Sequence, residues 1–313
     1  MSKNHYTIID LGSNSFHMLT VDKIDNGFSV VSKNKQKVRL ASGLDAQGNL
    51  DQATMERGWS CLQQFKNELT QLNPINVLIT ATAALRLAKN NQYFIKRAEF
   101  ILGHPIHLIS GIEEAKTIYQ GVVFTDNISE QLLVIDIGGA STELIIGNGP
   151  DIIEAQSLDM GCVTWLNKFF ADQRLNQENF AAAITAAKEV IAPWRSHYQN
   201  HGWILTMGAS GTIQATQEIN ETQQLTEQLG LPLLNAIKQQ CILCKNINTL
   251  DVIGLKESRI PVFASGLAIL IALFESLNIE ELKLSKGALR EGLISLLFSN
   301  NINFQSQNNG TIS

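Results

Sequence analysis

The sequence contains few cysteines. Its 313 residues include 4 of them, too few to hold a chain of this length together by disulfide bonds. Cys241 and Cys244 have the spacing of a zinc-binding or redox pair, but no second pair or nearby histidine in the sequence completes a metal site. The sequence therefore predicts structural cysteines, with this pair on a partly buried helix.

Positive charge is also scarce. The chain has 24 Lys and Arg residues against 29 Asp and Glu residues, which gives a formal net charge of -5. A general nucleic-acid-binding protein needs a large positive surface to neutralise the phosphate backbone. We therefore expect no nucleic-acid partner, and any polyanionic ligand has to meet a local basic patch.

Long hydrophobic runs are missing from the sequence. The longest apolar run, residues 267–274, is much shorter than the roughly 20 residues that cross a bilayer, and it predicts a buried helix. The N-terminal residues lack the apolar core and the small-residue cleavage site of a secretory signal. The expectation is a cytoplasmic protein with no membrane partner.

What the sequence does contain is a repeated motif. Residues 8–22 predict a strand, a glycine turn and a second strand, and the pattern returns 126 positions later at residues 135–146. Ile, Asp, Gly and Ser recur in register, and a third predicted strand follows each copy. Two similar hairpins predict an α/β protein of two duplicated domains, residues 1–124 and 125–313, with the last helix able to pack back on the first domain.

The rest of the chain alternates between predicted helices and strands. Apolar residues at helical spacing predict helices over residues 51–72, 91–102 and 177–199, and an apolar run predicts a strand over residues 75–82. The polar residues 124–131 are predicted to form a loop at the domain boundary. This alternation favours an α/β fold, in which ligands bind at the carboxyl ends of the strands.

Turns of small residues follow three of the predicted strands. The backbone N–H groups of such turns can hold a phosphate without any side chain. Asp10 and Asp136 lie beside the first two turns, and Mg²⁺ prefers one or two carboxylates, with water and phosphate as its remaining ligands. The predicted phosphate-binding residues are Gly12, Ser13 and Asn14, then Gly138, Gly139, Ala140 and Ser141, and finally Gly208, Ser210 and Gly211.

Four basic residues recur at a spacing of two and therefore share one face of a strand or its extension. They are Lys33, Lys35, Lys37 and Arg39. Such a row is either a solvated edge that blocks aggregation or an anion-attracting face near the binding cleft. Both readings stay open, and Arg39 is the first candidate for a substrate contact.

Six motifs occur in order at residues 10–18, 85–86, 109–115, 136–143, 208–212 and 287–292. They resemble the motifs of the exopolyphosphatase/guanosine pentaphosphate phosphatase family, within the superfamily of actin, Hsp70 and the sugar kinases. The resemblance covers about residues 6–298 and implies two ribonuclease H-like domains around a central cleft. Finer features look closer to the guanosine pentaphosphate branch, namely Ala140 and residues 37–40, 55–59, 118–122 and 160–165.

The resemblance implies hydrolysis of a terminal phosphoryl group from a phosphoanhydride. Glu114 would be the general base that deprotonates water, although Glu113 beside it remains an alternative, with one of the two acting as a structural helix-start acid. Arg86 would grip the phosphate chain. The Mg²⁺ ligands implied by the resemblance are Asp136 and Glu143, with Asp10 opposite them.

Other polar residues have two readings. Arg259, in a predicted loop before a buried helix, either contacts a guanosine 3′-diphosphate or has only a surface role. Arg290 and Glu291 either belong to the functional motif or only anchor the start of a helix, and His17 is read as a packed histidine rather than a metal ligand.

The predicted reaction converts guanosine pentaphosphate (pppGpp) to the tetraphosphate (ppGpp), with polyphosphate as the nearest alternative substrate. A small-molecule kinase and a non-catalytic sensor of alarmones or polyphosphate are rivals from other classes. Many relatives continue into a further helical domain, whereas this sequence stops at Ser313, which favours a short substrate. The sequence leaves a homodimer open.

Overall fold

Two five-stranded sheets carry the fold, one in each half of the chain. The structure is a computed structural model, and it describes residues 5–25, 27–45, 47–72, 74–226, 228–300, 302 and 304. The described chain divides into two compact units. The first runs up to Glu114 and resumes at Gly292, and the second runs from Ala115 to Glu291.

The first unit contains five strands and the helices that follow them. Their bounds are β1 (His5–Leu11), β2 (Phe16–Ile24), β3 (Gly27–Gln36), α1 (Gln52–Leu72), β4 (Asn76–Ala81), α2 (Ala83–Leu87), α3 (Asn91–Leu102), β5 (His107–Leu108) and the first turn of α4 (Gly111–Asp126). A short 3₁₀ helix, Leu40–Gly43, lies between β3 and α1.

The second unit repeats the strand pattern with more helices. Its elements are the rest of α4, β6 (Gln131–Ile137), β7 (Thr142–Asn148), β8 (Asp151–Leu158), α5 (Cys162–Phe169), α6 (Gln177–Ile191), α7 (Arg195–His201), β9 (Leu205–Gly208), α8 (Gly211–Gln223), α9 (Leu231–Leu243), α10 (Ile260–Leu277), β10 (Lys283–Leu284) and the start of α11 (Leu289–Ser299).

The two sheets have the same topology. The strand order is β3-β2-β1-β4-β5 in the first sheet and, read from the corresponding edge, β8-β7-β6-β9-β10 in the second. In each sheet the first three strands pair antiparallel in sequence order, the fourth pairs in parallel with the first, and the fifth pairs in parallel with the fourth. The α/β class and the duplication predicted from the two hairpins are confirmed.

Helix α1 shows why the periodicity of the sequence predicts the elements. Its large apolar side chains recur every three or four residues and form one buried stripe, while the opposite face of the helix is exposed to solvent. The buried stripe contains Met55, Trp59, Leu62, Phe65 and Leu69. Helix α3 covers the predicted residues 91–102, and Gly103 ends it in the left-handed conformation, with φ of 73°.

Helix α10 forms the centre of the second unit's core. Within the described residues, Glu257–Leu277 is the one helical segment long and apolar enough to cross a membrane, but 83% of its apolar window is buried inside the protein. This burial confirms the helix predicted from residues 267–274. Helix α9 likewise carries Cys241, fully buried, with the half-buried Cys244 at its end.

Two predicted elements differ from the structure. The helix predicted over residues 177–199 is two helices, because Pro193 lacks a backbone N–H and α6 ends just before it at Ile191. The loop predicted from residue 124 begins only after Asp126, where α4 ends. The predicted domain boundary at residues 124/125 and the division between Glu114 and Ala115 thus both fall within α4.

Candidate functional site

The segment that follows β3 is hydrogen-bonded to the turn between β1 and β2. The backbone N–H of Arg39 donates to the carbonyl of Asn14 at 2.9 Å, and that of Ala41 donates to the carbonyl of Ser13 at 2.9 Å. The hydroxyl of Ser13 accepts a hydrogen bond from the N–H of Ala84 at 3.1 Å. These contacts use carbonyls and a hydroxyl of the turn and none of its N–H groups, the groups that bind phosphate in such turns.

The turn between β6 and β7 is held in the same way by the start of α5. The N–H groups of Cys162 and Val163 donate to the carbonyls of Gly138 and Gly139 at 2.9 and 2.8 Å. The N–H of Gly138 itself closes the turn on the carbonyl of Ser141 at 2.9 Å. The N–H groups of the following small residues therefore remain the better candidates for phosphate binding.

Gly161 allows α5 to approach the second turn this closely. A Cβ atom at Gly161 would lie 2.4 Å from the nitrogen of Ala140 and 2.5 Å from the carbonyl carbon of Gly139. Both contacts are with backbone atoms, which cannot rotate away. Position 161 therefore accepts only glycine without a shift of the turn.

Two carboxylates lie side by side at the end of the second hairpin. Asp136 on β6 is directly opposite Glu143 on β7, so both side chains project from the same face of the sheet. Glu143 is 1% exposed and accepts a hydrogen bond from the hydroxyl of Ser157 at 2.8 Å. A pair of carboxylates fits Mg²⁺, which takes its other ligands from water and phosphate.

The third predicted metal ligand, Asp10, belongs to the first unit. It is buried at the end of β1, directly opposite His17 on β2. Among the described residues, no group of three or more His, Cys, Asp and Glu side chains has the arrangement of a metal site. Asp136 and Glu143 are the two predicted ligands that the structure brings together.

The loop between β9 and α8 carries the third set of predicted phosphate-binding residues. Ser210 is the residue before α8, and its hydroxyl is buried and makes no hydrogen bond within the described chain. The guanidinium of half-buried Arg259 lies directly on Gly211, where an added Cβ would come within 2.0 Å of it. Arg259 thus lies at this loop, and its contact with a guanosine 3′-diphosphate stays a prediction.

The charges of Arg259 and Asp136 both affect the pKa of Cys162 at the start of α5. Burial raises the pKa of the Cys162 thiol to about 11, while the charge of Arg259 lowers it and that of Asp136 raises it. The thiol is therefore protonated near neutral pH and is a poor nucleophile. It contributes packing rather than chemistry.

The two glutamates at the start of α4 have different hydrogen-bond partners. Glu113 Oε2 accepts a hydrogen bond from the N–H of Ser110 at 2.7 Å, and the hydroxyl of Ser110 accepts one from the N–H of Glu113 at 3.2 Å. This reciprocal pair is a capping box. Glu113 is therefore the helix-start acid.

Glu114 points elsewhere and is 8% exposed. Its Oε2 accepts a hydrogen bond from Nη1 of Arg86 at 2.6 Å, and the same Nη1 donates to the carbonyl of Ile109 at 3.1 Å. Burial raises the pKa of Glu114 and outweighs the charge and hydrogen bond of Arg86 and the hydrogen bond of Thr82, which lower it. A raised pKa brings a carboxylate closer to the range in which it accepts a proton from water.

The family of the chain follows from a match to a protein-family model. Residues 20–300 match the model of the Ppx/GppA phosphatase family. The chain belongs to the Ppx/GppA phosphatase family. The family resemblance predicted from the six motifs is confirmed by this match.

Solved structures of Ppx/GppA proteins share the fold. The exopolyphosphatase from Cytophaga hutchinsonii superposes with a TM-score of 0.85 at 23% identity, over 95% of this chain and 98% of the other. The Aquifex aeolicus family member has a TM-score of 0.78 at 21% identity, over 96% and 99% of the two chains. At these identities the likeness establishes the two-unit α/β fold.

Thr82 follows a predicted strand at the end where α/β folds bind ligands, and in the structure it is hydrogen-bonded to Glu114. Two residues of this Ppx/GppA phosphatase were missed in the sequence as parts of the site. Gly161 packs against the second turn, and Ser157 donates a hydrogen bond to Glu143. Both depend on contacts across the sheet or between the turn and α5, which no local pattern reveals.

The acidic residue of the last family motif, Glu291, has a structural role. Oε2 of Glu291 accepts a hydrogen bond from the N–H of Ala288 at 2.9 Å, at the start of α11. This contact confirms the helix-start reading of Glu291.

Proposed function

We propose that this Ppx/GppA phosphatase removes the terminal phosphoryl group of pppGpp and releases ppGpp and orthophosphate. The observation that carries the proposal is the separation of two adjacent glutamates, because Glu113 is used in the capping box while Glu114 is buried against Arg86. The choice of pppGpp rests on the sequence features that look closer to the guanosine pentaphosphate branch, such as Ala140 and residues 160–165.

In this proposal Glu114 accepts the proton of the attacking water. The water oxygen forms a bond to the terminal phosphorus as the bond to the bridging oxygen breaks, and ppGpp leaves with that oxygen. Phosphoryl transfer depends on in-line positioning and on neutralising the charge of the transferred group. Backbone N–H groups of the two hairpin turns would supply fixed donors for the phosphate oxygens.

In this proposal Arg86 also binds the substrate, through N–H groups other than those of Nη1. Both of its hydrogen bonds within the described chain use Nη1, and a guanidinium has five N–H donors. Nη2 and Nε can therefore contact the phosphate chain while Nη1 orients Glu114. A Mg²⁺ ion held by Asp136 and Glu143 would neutralise phosphate charge.

Polyphosphate is the second candidate substrate. The C. hutchinsonii relative is named an exopolyphosphatase, and the same chemistry removes the end residue of a phosphate chain. The two substrates differ only beyond the reacting phosphoryl group.

The test compares phosphate release by the purified protein with Mg²⁺ from pppGpp, from long-chain polyphosphate, and from ATP with candidate acceptors. We expect release from pppGpp, and a Glu114→Gln variant that is slower by about 10²-fold or more. Glu113→Gln is the matched control, because glutamine also completes a capping box, and it should retain most of the activity. Release from neither phosphate substrate would overturn the hydrolase proposal, and near-normal turnover by Glu114→Gln would move the base elsewhere.

A further inference from the structure

A cavity of about 510 Å³ lies in the second unit, at the start of β9 and the end of α10. Its wall is formed by the segment that joins α7 to β9 and by the segment that joins α10 to β10. Cavities of this size bind small organic ligands through apolar walls and a few well-placed polar groups. None of the described residues that line it is a predicted phosphate-binding or metal-binding residue.

The cavity and the third phosphate turn lie at opposite ends of β9. Leu205 and Thr206, the first two residues of this strand, line the cavity, whereas Ser210 follows its last residue, Gly208. Because β6 and β9 are parallel, the turn after β6 lies at the same end as Ser210. A ligand in the cavity therefore leaves both phosphate turns of the second unit open.

Apolar side chains supply part of the cavity wall. Trp203 and Leu205 are half-buried, and Leu277 at the end of α10 is 1% exposed. Ile204 also lines the cavity and remains 76% exposed, so it is an apolar group that a bound ligand can cover. An indole ring packs well against aromatic and branched side chains. The ligand should therefore carry a large apolar part.

Charged side chains of both signs line the same cavity. Glu280 and Glu281 follow α10, and Lys283 begins β10. The ammonium group of Lys283 forms no ion pair with either glutamate. Opposite charges that stay apart around one cavity can be bridged by a ligand that carries both an anionic and a cationic group.

The hydrogen-bond acceptors of the cavity suit an ammonium group. Nε2 of Gln199 donates to the carbonyl of Ser276 at 3.3 Å, so the amide oxygen of Gln199 is the end left for a ligand. Oε2 of Glu281 accepts a hydrogen bond from Nε2 of Gln228 at 3.4 Å, which leaves Oε1 of this carboxylate. An ammonium group has three N–H donors, and these oxygens and the carboxylate of Glu280 can accept from them.

We infer that this cavity binds a free α-amino acid with a large apolar side chain. Glu280 and Glu281 accept hydrogen bonds from its ammonium group, Lys283 pairs with its carboxylate, and Trp203 and Leu277 contact its side chain. A simple amine lacks the group for Lys283, and a simple carboxylic acid lacks the group for the glutamates. The inference does not depend on which phosphate substrate the protein hydrolyses.

The first test compares three ligands that differ by one group. Dissociation constants for the unaltered protein are measured by calorimetry for L-phenylalanine, for phenethylamine, which lacks the carboxylate, and for 3-phenylpropanoate, which lacks the ammonium group. We expect each analogue to bind at least about tenfold more weakly than phenylalanine, because each loses charge-assisted hydrogen bonds. Equal binding of phenylalanine and phenethylamine, or no binding of phenylalanine, would overturn the inference.

Two variants test where the ligand binds. Lys283→Gln should weaken phenylalanine binding by about tenfold without weakening phenethylamine binding, and Glu280→Gln/Glu281→Gln should weaken phenylalanine binding without weakening 3-phenylpropanoate binding. The matched control is Glu178→Gln/Glu189→Gln, which removes the same charge as the double variant from exposed positions on α6. The control should leave all three constants unchanged, and an equal loss in it would contradict binding in this cavity.

Competition separates this site from the phosphate site. Excess triphosphate with Mg²⁺ should leave the dissociation constant of phenylalanine unchanged, because the phosphate turns lie at the other end of β9. Displacement of phenylalanine by triphosphate would overturn the inference. These measurements require no turnover, so a failed hydrolysis assay does not affect them. The comparison of the three ligands uses the unaltered protein, so it also stands if a variant does not fold.

Discussion

The two sheets have the same backbone plan but carry different side chains at the same row. In the first sheet the row reads Asp10, His17 and Lys35, and in the second it reads Asp136, Glu143 and Ser157. Each row ends beside a turn of small residues. The duplication has kept the turns, which need only backbone N–H groups, and has changed the charges next to them.

The two rows differ in their charge. Asp136 and Glu143 are neighbouring carboxylates, and neighbouring like charges oppose each other unless a cation lies nearby. The corresponding positions of the first sheet hold one carboxylate, Asp10, and one histidine, His17, and Lys35 follows in the row. On this comparison, the second row is the better match for a cation.

The largest effect is expected when the second row is made to resemble the first. Glu143→His removes one of the two adjacent carboxylates, and we expect phosphate release to fall by about 10²-fold or more. The measurement is the initial rate over a range of Mg²⁺ concentrations. The reverse change, His17→Glu, is expected to have a smaller effect. If the two variants lose activity equally, the rows do not differ in function.

A smaller effect is expected from a substitution at Gly161, which packs against the second turn. Gly161→Ala places a methyl group against three backbone atoms within 2.6 Å, and overpacking of this kind destabilises by about 1–3 kcal/mol. The measurement is the free energy of unfolding in urea. Gly12→Ala in the first hairpin meets one backbone oxygen at 2.9 Å and should cost less. A larger loss at Gly12 would contradict the difference between the two turns.

The smallest effect concerns the pH dependence of the first unit. Glu114 must be deprotonated to act as a base, so kcat/KM should fall as the pH drops through its raised pKa. Arg86→Gln removes the charge that lowers this pKa, so the acid limb should move to higher pH. The position of the limb, not the absolute rate, is the measurement. An acid limb that stays in place or moves to lower pH would show that Arg86 does not act on Glu114.

Much of the fold was predictable because its signals are local. The periodicity of α1 and the bounds of α3 follow from apolar spacing, and the duplication follows from the repeated hairpin. The helix over residues 177–199 was wrong because the apolar pattern continues across Pro193, which cannot continue the hydrogen bonding. Here the proline ends the helix although the apolar periodicity continues.

The candidate site was less predictable because its decisive contacts are distant in sequence. The capping box is present in the sequence as Ser110 followed by Glu113, and this spacing is sufficient to separate Glu113 from Glu114. The pairing of Arg86 with Glu114 spans 28 positions and depends on the packing of α2 near α4. Similarly, the contact of Arg259 with Gly211 arises only once α8 and α10 are in place.

The discontinuity of the first unit has a consequence for biosynthesis. The segment from Gly292 belongs to that unit, and Phe298 packs its ring edge-on against Tyr6 of β1, with the ring centres 5.0 Å apart. The ribosome makes residues 115–291 in one continuous stretch before it makes this segment. The second unit can therefore complete its core first, and the contact between Tyr6 and Phe298 can form only after the last helix has left the exit tunnel.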